Sequence, residues 1–528
     1  MKGFDKVAFI KNIGSSWLGL IVNIATGIVI SPYILHKLGD EAFGLWVLVF
    51  SINGYYGLFD MGIRSSIVRY VAKYSATDEH DELNGVISTS LFSYSAVFLI
   101  LLALTSAGSF YLDRIVHIQP AYVVTGKLLF LMVGASLALG FPLGVFAGVL
   151  EGLQKFYLIN SINITTTILR AVLIVVALDH GFGLLMVTWI TILLPLVNQL
   201  ANAFNVFRLT HVRIGLRFVT KEMFKRLFSY GSVTFMFTVA RNLRFKTDSL
   251  VIGAFLSAAA ITPFAIASRI VDYSTSMVDT LAQVFTPMSS HFDAKGEIDK
   301  LRAVFVQGNR ACGLIVFPIC AGVIILGKAI IQVWMGAKYI PASYPVLLIL
   351  IIPATLRMAQ ATSPRVLFGM ARHRTMAFVV VLEGVVNLLL SIALVRHYGI
   401  VGDALGTAIP LMFTCLFFLP QHLCGILGMK VRTFLTKAYL VPALLCVPMI
   451  AVLLVLGRWS YPHTLWQLGL HTAAGGLVYT AFAYYFMFVK GPYGRRKQLV
   501  PLSRTRPLVP EQPAVVEYAA EVSEGTAE

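Results

Sequence analysis

The sequence predicts an all-α integral membrane protein with about fourteen transmembrane helices. Its 528 residues are 57% hydrophobic and only 13% charged, whereas soluble chains carry about 25% charged residues. Its apolar segments run for about 20 residues each, the length that a helix needs to cross the hydrocarbon core of a bilayer. Backbone groups find no hydrogen-bond partner in lipid, so these segments must be helical.

The predicted helices follow one another along the chain as separate apolar runs. The run at 344–366 is interrupted, because it holds Pro345, Pro353, Pro364 and two arginines. The predicted spans are 14–36, 42–63, 85–109, 124–149, 157–178, 182–207, 229–255, 259–285, 303–327, 344–366, 376–395, 402–424, 439–457 and 467–489.

Lysine and arginine predict the direction of these helices. With the N-terminus inside, the cytosolic segments hold 27 of the 42 basic residues and the outer loops hold seven. Basic residues accumulate in the cytosolic loops of membrane proteins. We therefore expect both termini in the cytosol, which requires an even number of helices.

The chain contains an internal repeat. An offset of 218 residues lays 38–83 over 256–301 without a gap, and it pairs Tyr55 with Tyr273. Both copies have the same topology, and parallel repeats place a substrate site between them. Chance similarity between apolar segments is the alternative. The predicted organisation is a first six-helix bundle (1–207), a basic cytosolic linker (208–228), a second six-helix bundle (229–424), two additional transmembrane helices (425–489) and a disordered cytosolic tail (490–528).

Arginines within the predicted helices indicate a binding site. A charged residue at the bilayer centre costs about 2.5–3.5 kcal/mol on insertion scales, so it normally faces an aqueous cavity or a partner. Guanidinium groups bind phosphate bidentately. We therefore expect the intramembrane arginines to hold an anionic, diphosphate-bearing substrate. The candidates are Arg241, Arg244, Arg269, Arg170 and Arg357.

Acidic residues allow a second interpretation of the same arginines. Arg241, Arg244 and Asp248 are spaced i, i+3, i+7 and share one helical face. Asp248 could neutralise Arg244, and Asp272 could neutralise Arg269, in buried pairs that only fix helix packing.

Three further charged residues complete the candidate set. Glu383, like Asp248 and Asp272, is a candidate for coupling transport to H⁺ or Na⁺. Asp60 and Arg64 are spaced i, i+4 at the predicted cytosolic end of the second helix. They are expected to form a local helix pair, and a gate contact is the alternative.

The sequence excludes several classes of function. We find no Walker-type loop and no dinucleotide fingerprint, so neither ATP hydrolysis nor a nucleotide cofactor is expected. The net charge of +17 is spread over short loops and a tail, as membrane topology requires, so no nucleic-acid partner is expected. The five cysteines lack Cys-x-x-Cys spacing, so no metal site is predicted.

The first two helices carry motifs of a known family. The segment Ser31-Pro-Tyr-Ile-Leu-His-Lys-Leu-Gly-Asp-Glu-Ala-Phe-Gly-Leu-Trp46 resembles the Pro-Tyr, Leu-Gly and Gly-Leu-Trp elements of polysaccharide flippases, and Leu58-Phe-Asp-Met-Gly-Ile-Arg64 is similar. Ala265-Ile-Ala-Ser-Arg269 in the second half fits the same pattern. The resemblance, to about residue 490, is to the O-antigen and exopolysaccharide branch of the multidrug/oligosaccharidyl-lipid/polysaccharide exporter superfamily.

The resemblance implies two six-helix bundles around a central cavity, with two additional C-terminal helices, in the bacterial inner (cytoplasmic) membrane. It implies a transporter, not an enzyme, that flips a polyprenyl-diphosphate-linked oligosaccharide from the cytosolic to the outer leaflet by alternating access. The implied partners are this lipid-linked oligosaccharide, membrane lipid, a coupling H⁺ or Na⁺, and glycan polymerases or glycosyltransferases. Because positive charge is concentrated in the second half, we expect an asymmetric cavity whose seventh helix holds the anionic end of the substrate.

Two other functions stay open at this stage. A cation-coupled drug antiporter of the same superfamily would have net negative charge in its cavity, whereas this chain has a surplus of intramembrane arginine. A membrane-embedded glycan polymerase or ligase usually needs a large extracytoplasmic loop, and the predicted outer loops are short.

Overall fold

The computed structural model describes residues 6–116, 118–210, 212–229, 235, 247–282, 284–372 and 374–486, and these residues contain helices and no strand. Arg241, Arg244 and the predicted tail 490–528 lie outside the described residues. The helices are α1 (Lys6–Leu38), α2 (Asp40–Asn53), α3 (Ile63–Ala76), α4 (His80–Ile115), α5 (Val123–Gly152), α6 (Phe156–Asp179), α7 (Leu184–Leu209), α8 (221–229), α9 (Thr247–Phe255), α10 (Ala258–Ala282), α11 (Phe285–Ala294), α12 (Ile298–Trp334), α13 (Ile340–Ala359), α14 (Thr362–Gly369), α15 (Arg374–Phe413), α16 (Leu419–Ile426), α17 (Val431–Leu435), α18 (Val441–Trp459) and α19 (Leu465–Tyr484).

Ten of the described helical segments are long and apolar enough to cross a membrane. One of them, Arg374–Ile426, has 53 residues, which is enough for two spans of about 20 residues. It breaks at Gly399, whose φ of 57° and ψ of −140° are not helical. The predicted span 229–255 lies largely outside the described residues. The all-helical membrane fold is confirmed, and the count of fourteen stays a prediction.

The helix boundaries repeat at the offset that the sequence predicts. Shifted by 218 residues, three boundaries of the first half coincide with boundaries of the second. These are the starts of α2 and α10 (Asp40 and Ala258), the ends of α3 and α11 (Ala76 and Ala294), and the starts of α4 and α12 (His80 and Ile298). This agreement argues against chance similarity and supports two bundles with the same topology.

Buried apolar side chains of the two bundles form one shared cluster at one end of the molecule. At the other end, each bundle has a cluster of its own. We name these ends after Asp40, which is on the predicted outer side, and Ala76, which is on the predicted cytosolic side. At the Asp40 end, one cluster includes both Phe43 of α2 and Phe264 of α10. At the Ala76 end, a cluster around Ile67 belongs to the first bundle, and another around Phe305 belongs to the second. Among the described residues, the bundles therefore share a core only at the Asp40 end.

Helices α2 and α10 cross at the symmetry axis of the repeat. A Cβ atom added at Gly44 would lie 1.9 Å from the carbonyl oxygen of Ala258, so only glycine fits there. The Thr262 hydroxyl donates to the Asp40 carbonyl oxygen at 2.8 Å. The offset pairs Asp40 with Ala258 and Gly44 with Thr262, so the two contacts are equivalent under the repeat.

Polar contacts close the same end around Asp40. Lys338 Nζ lies 3.1 Å from both carboxylate oxygens of Asp40, and the Tyr339 hydroxyl donates to the same carboxylate. Trp334 Nε1 donates to the carbonyl oxygen of Ile28 at 2.6 Å. These contacts link α12 and the start of α13 in the second bundle to α1 and α2 in the first.

The basic linker docks on the first bundle. In α8, Met223 and Leu227 are 4% and 1% exposed and pack in the cluster around Ile67. The Ser66 hydroxyl donates to the Leu227 carbonyl oxygen at 2.6 Å. Residues 221–229 of this region are thus helical, and Met223 and Leu227 contact protein. Both bundles and the linker lie in one compact unit, Met1–Tyr479; a second unit begins at Thr480, and its described residues, 480–486, are helical.

Candidate functional site

A cavity of about 370 Å³ lies between the two bundles, and we call it the arginine cavity. Helices α2, α6 and α7 of the first bundle and α9 and α10 of the second supply its walls. Its lining residues are Trp46, Val47, Phe50, Ser51, Arg170, Thr191, Asp248, Ser249, Phe264, Ala265, Ser268, Arg269 and Asp272. A site between parallel repeats is where the sequence predicts a substrate.

Arg269 is held at the cavity wall by contacts with the first bundle. Its guanidinium donates to the Ser31 hydroxyl of α1 and lies 5.3 Å from the centre of the Phe43 ring, within the range of a cation–π interaction. No carboxylate of the described residues lies within ion-pair distance of Arg269. The expected pair with Asp272 is therefore not formed, and Arg269 keeps donors for a ligand.

Arg170 reaches the same cavity from α6. It is half-buried and has no hydrogen-bond or ion-pair partner in the part of the chain that the structure describes. An unpaired guanidinium in a membrane is costly unless it faces water, and the cavity supplies that exposure. Cationic groups therefore line the cavity from both bundles, in contrast with the expected concentration in the second half.

The other predicted arginines do not join this pair in the described structure. Arg357 of α13 donates to the Thr275 hydroxyl at 2.9 Å. It does not line the arginine cavity, and it does not line a second cavity, which lies within the first bundle. Arg241 and Arg244 lie outside the described residues, so their role stays a prediction. Arg170 and Arg269 are the two candidates that the structure brings together.

Asp248 connects the cavity to a group of oxygen-bearing side chains in the second bundle. Thr407 Oγ1 lies 3.0 Å from Asp248 Oδ1 and 3.4 Å from Asn387 Oδ1. The Ser391 hydroxyl donates to Asn387 Oδ1 at 3.1 Å. Such a set of carboxylate, amide and hydroxyl oxygens can take up Na⁺ or a proton, as oxygen groups do at the ion sites of secondary transporters.

Asp403, which no sequence pattern singled out, lies beside this group. Asp403 is fully buried, and neither carboxylate oxygen has a hydrogen-bond donor among the described residues. A buried carboxylate of this kind is stable only with a proton or a cation. Its position at the start of the predicted span 402–424 made it resemble a residue at the membrane surface. Glu383, also buried at 5% exposure, lies one helical turn before Asn387.

The hairpin of α15 explains how these residues come together. The chain reverses at Gly399, and the two arms pack closely. A Cβ atom at Gly402 would lie 2.2 Å from the Leu394 carbonyl oxygen, and one at Gly406 would lie 2.3 Å from the Ser391 hydroxyl. Glycines at these positions let Asn387 and Thr407 face each other.

The side chains of Asp60 and Arg64 do not form an ion pair, and the contact between the two residues is a hydrogen bond from the Arg64 backbone N–H to Asp60 Oδ1 at 3.4 Å. The chain leaves helical geometry between them, because Met61 and Gly62 have φ of 46° and 74°. The Arg64 side chain instead pairs with Glu151 of α5 at 2.6 Å, and Asp60 accepts a hydrogen bond from the Tyr94 hydroxyl. A gate role for Asp60 and Arg64 stays a prediction.

Comparison with known proteins gives a family match over most of this region. Residues 38–344, more than half of the chain, match the model of a family described as polysaccharide biosynthesis protein. The chain is 24% identical over 436 residues to "Uncharacterized membrane protein EpsK" of Bacillus subtilis (strain 168), covering 81% of this chain and 85% of that protein. It is 22% identical over 431 residues to "Putative O-antigen transporter" of Shigella flexneri, covering 80% of this chain and 99% of that protein.

A solved structure has the same fold. The lipid II flippase MurJ in an inward closed conformation superposes with a TM-score of 0.70 at 16% sequence identity, covering 90% of this chain and 98% of that one. At this identity, the likeness concerns the fold.

Proposed function

Since this chain belongs to the polysaccharide biosynthesis protein family, we propose that it flips a polyprenyl-diphosphate-linked oligosaccharide from the cytosolic to the outer leaflet of a bacterial inner membrane. The chain is a multi-pass membrane protein, and its resemblance to polysaccharide flippases is confirmed. Membrane lipid surrounds the prenyl chain, and both termini face the cytosol in this proposal.

One observation carries the proposal: a single cavity between the bundles is lined by Arg170 from one bundle and Arg269 from the other. Neither guanidinium has a carboxylate partner among the described residues. Guanidinium groups bind phosphate oxygens bidentately, so two of them suit a diphosphate. A substrate held by both bundles can also bias their relative arrangement, because it contacts both.

The names of the relatives support the same substrate class. The Shigella flexneri relative is named as an O-antigen transporter, and the protein with the same fold is named as a lipid II flippase. Transporters and flippases move substrates without covalent chemistry. We therefore describe the chain as a transporter and not as an enzyme.

The packing of the bundles indicates the side from which the substrate enters. The bundles share a buried core at the Asp40 end and have separate cores at the Ala76 end. In the proposed orientation, the cavity is reached from the cytosol and is closed towards the outside. Alternating access then requires the Asp40 end to open while the Ala76 end closes.

The oxygen-bearing group around Asp248 is the proposed coupling site for Na⁺ or H⁺. Asp248 lines the arginine cavity and contacts Thr407, so ion binding and substrate binding share a residue. Asp272 lines the same cavity, and Glu383 lies on α15 near Asn387. Glycosyltransferases that build the substrate and polymerases that use it are the proposed protein partners.

A cation-coupled drug antiporter is the second candidate, because Asp248 and Asp272 line the same cavity as the arginines. A cationic drug would be repelled by Arg170 and Arg269 unless both aspartates outweighed them. Growth in the presence of cationic dyes separates the two functions: an antiporter protects the cells, and a flippase does not.

Export of surface glycan tests the proposal in cells that lack their own copy of the gene. We expect Arg170→Gln and Arg269→Gln each to lower export about tenfold or more, because each removes charge-assisted hydrogen bonds worth roughly 1.5–3 kcal/mol. Arg114→Gln is the matched control, since Arg114 is exposed and stacks only on Tyr111. Normal export by both cavity variants at normal protein levels would contradict the proposal.

A further inference from the structure

A second cavity of about 370 Å³ lies within the first bundle, and we call it the amide cavity. Its size falls in the range of about 300–1,000 Å³ that is typical of ligand sites. Five helices, α1, α3, α5, α6 and α7, supply its described wall. Its polar lining residues are Asn23, Arg64, Asn163, Thr166, Thr167, Arg170, Asn198, Gln199 and Asn202.

Arg170 lines both cavities. It therefore lies where a ligand in the arginine cavity would continue into the amide cavity. The described wall of the amide cavity contains no carboxylate, and Arg64 in the same wall is already paired with Glu151. The chemistry changes along this path from two guanidinium groups to a set of neutral amides and hydroxyls.

Hydrogen bonds hold the amides in fixed positions. Asn198 Nδ2 donates to Asn163 Oδ1 at 2.5 Å and approaches the Thr166 hydroxyl at 3.3 Å. Asn202 Nδ2 donates to Asn198 Oδ1 at 2.9 Å. Amides often bind across helices simply to hold them together, and this network does join α6 to α7. Helix packing alone does not account for an open cavity, for Asn23 on a third helix, or for the unpartnered Arg170.

Two amide oxygens in this wall have no donor. Asn202 Oδ1 and Gln199 Oε1 are buried without a hydrogen-bond donor among the described residues, and Asn202 is only 1% exposed. The last torsion of an amide side chain is broad, so Gln199, which lies outside the Asn163–Asn198–Asn202 network, can turn its oxygen towards a ligand. These acceptors require a ligand that donates hydrogen bonds. Phosphate oxygens mainly accept, whereas sugar hydroxyls both donate and accept.

We propose that the amide cavity binds the sugar nearest the diphosphate, with its hydroxyl groups donating to the amide oxygens and accepting from the amide nitrogens. This inference rests on the proposed function and assigns the saccharide of that substrate to the first bundle. Arg170 contacts the junction of phosphate and sugar. Recognition by neutral groups selects for hydroxyl positions and places no acidic group against the anionic substrate.

Binding to full-length protein in nanodiscs tests this assignment. The probes are citronellol, citronellyl diphosphate, and citronellyl diphosphate carrying glucose, galactose or N-acetylglucosamine. We expect the wild type to bind at least one glycosylated probe about tenfold more tightly than the bare diphosphate, because a few hydrogen bonds to neutral groups give a factor of this size. Asn198→Leu and Gln199→Met should lose most of this preference and keep the affinity for the bare diphosphate.

The control and the second variant keep the result interpretable. Asn205→Leu changes an amide on α7 that bonds to the Ala201 carbonyl oxygen and does not line the cavity, so it should keep the preference. Gln199 lies outside the Asn163–Asn198–Asn202 network, so Gln199→Met leaves that network intact. The sugar assignment is overturned if the wild type prefers no glycosylated probe, or if both cavity variants keep the preference. If neither diphosphate class binds better than citronellol, the proposed function itself fails.

Discussion

Arg269 shows how a membrane arginine can be fixed in place and still available to a ligand. The Phe43 ring and the Ser31 hydroxyl position its guanidinium, and neither contact neutralises its charge. Arg170 has no partner among the described residues. Both were predictable from sequence, because a charged residue in the middle of an apolar run is costly and therefore informative.

Other site residues gave no such signal. Asp403 follows a helix break, where acidic residues are common, so its complete burial could not be inferred from position. Asn163 and Asn198 join α6 to α7 by a hydrogen bond, as amides in membrane helices commonly do. Their place in the wall of a cavity depends on the packing of α1, α6 and α7, which single-sequence patterns do not determine.

At the residue scale, Asp248→Asn and Thr407→Val should abolish stabilisation of the purified protein by the coupling ion. A bound ion stabilises the folded state by RT ln(1 + [ion]/Kd), or about 2.7 kcal/mol at a hundredfold excess over Kd. We expect the wild-type Tm to rise with NaCl relative to choline chloride, or with falling pH, and the variants to lose that rise.

Asp113→Asn is the control for this measurement. Asp113 pairs with the neighbouring Lys127 at 2.9 Å and is partly exposed, far in sequence from the Asp248 group. The Tm of the Asp113→Asn variant should rise with the ion as the Tm of the wild type does. An unchanged ion response in both Asp248→Asn and Thr407→Val would remove the Asp248 group from the coupling proposal.

At the element scale, the repeat is the best-predicted feature of the fold. The offset read from 38–83 and 256–301 reproduces three helix boundaries, because turn positions and charged loops persist where apolar residues vary. The break at Met61 and Gly62 was not predicted. Both residues adopt positive φ, and a Met at such a position gives no sequence signal.

The crossing of α2 and α10 gives the prediction at this scale. Gly44→Ala should push the helices apart at the Asp40 end, because the new methyl group would lie 1.9 Å from the Ala258 carbonyl oxygen. Spin labels at Arg114 and Lys328, one on each bundle, measure the separation by double electron–electron resonance. We expect a longer distance in the variant than in the wild type.

The five native cysteines are buried, so introduced surface cysteines can be labelled selectively. Gly457→Ala is the matched control, since no heavy atom lies within 4 Å of a Cβ atom at that position. Identical distance distributions for Gly44→Ala and wild type would show that the crossing does not hold the Asp40 end closed.

At the scale of the whole molecule, apolar packing and not ion pairing holds the bundles together. The Asp40–Lys338 pair is largely exposed, at 40% and 63%, and exposed pairs contribute about 0–1 kcal/mol. The shared cluster at the Asp40 end instead buries large side chains such as Phe43 completely, each worth roughly 1.5–3 kcal/mol. Opening this end requires a ligand or ion that binds the open state more tightly.

The sequence predicted the two bundles but not which end is closed. Apolar periodicity and basic loops determine helices and direction. A transporter that alternates must satisfy two arrangements with the same residues, so no local pattern favours one. The closed end became evident only from clusters that cross between bundles and from Gly44 against Ala258.

Flipping in proteoliposomes tests whether Arg170 and Arg269 carry the lipid-linked substrate across the membrane. The substrate is the lipid-linked oligosaccharide extracted from the producing cells, and sugars in the outer leaflet are counted by oxidation with external, membrane-impermeant periodate. With the wild type, we predict that periodate also oxidises the pool that starts in the inner leaflet. With the Arg170→Gln/Arg269→Gln double variant, periodate should oxidise only the outer-leaflet share, as in protein-free liposomes. If the oxidised fraction of the oligosaccharide with the wild type never exceeds that in protein-free liposomes, the chain does not flip this substrate.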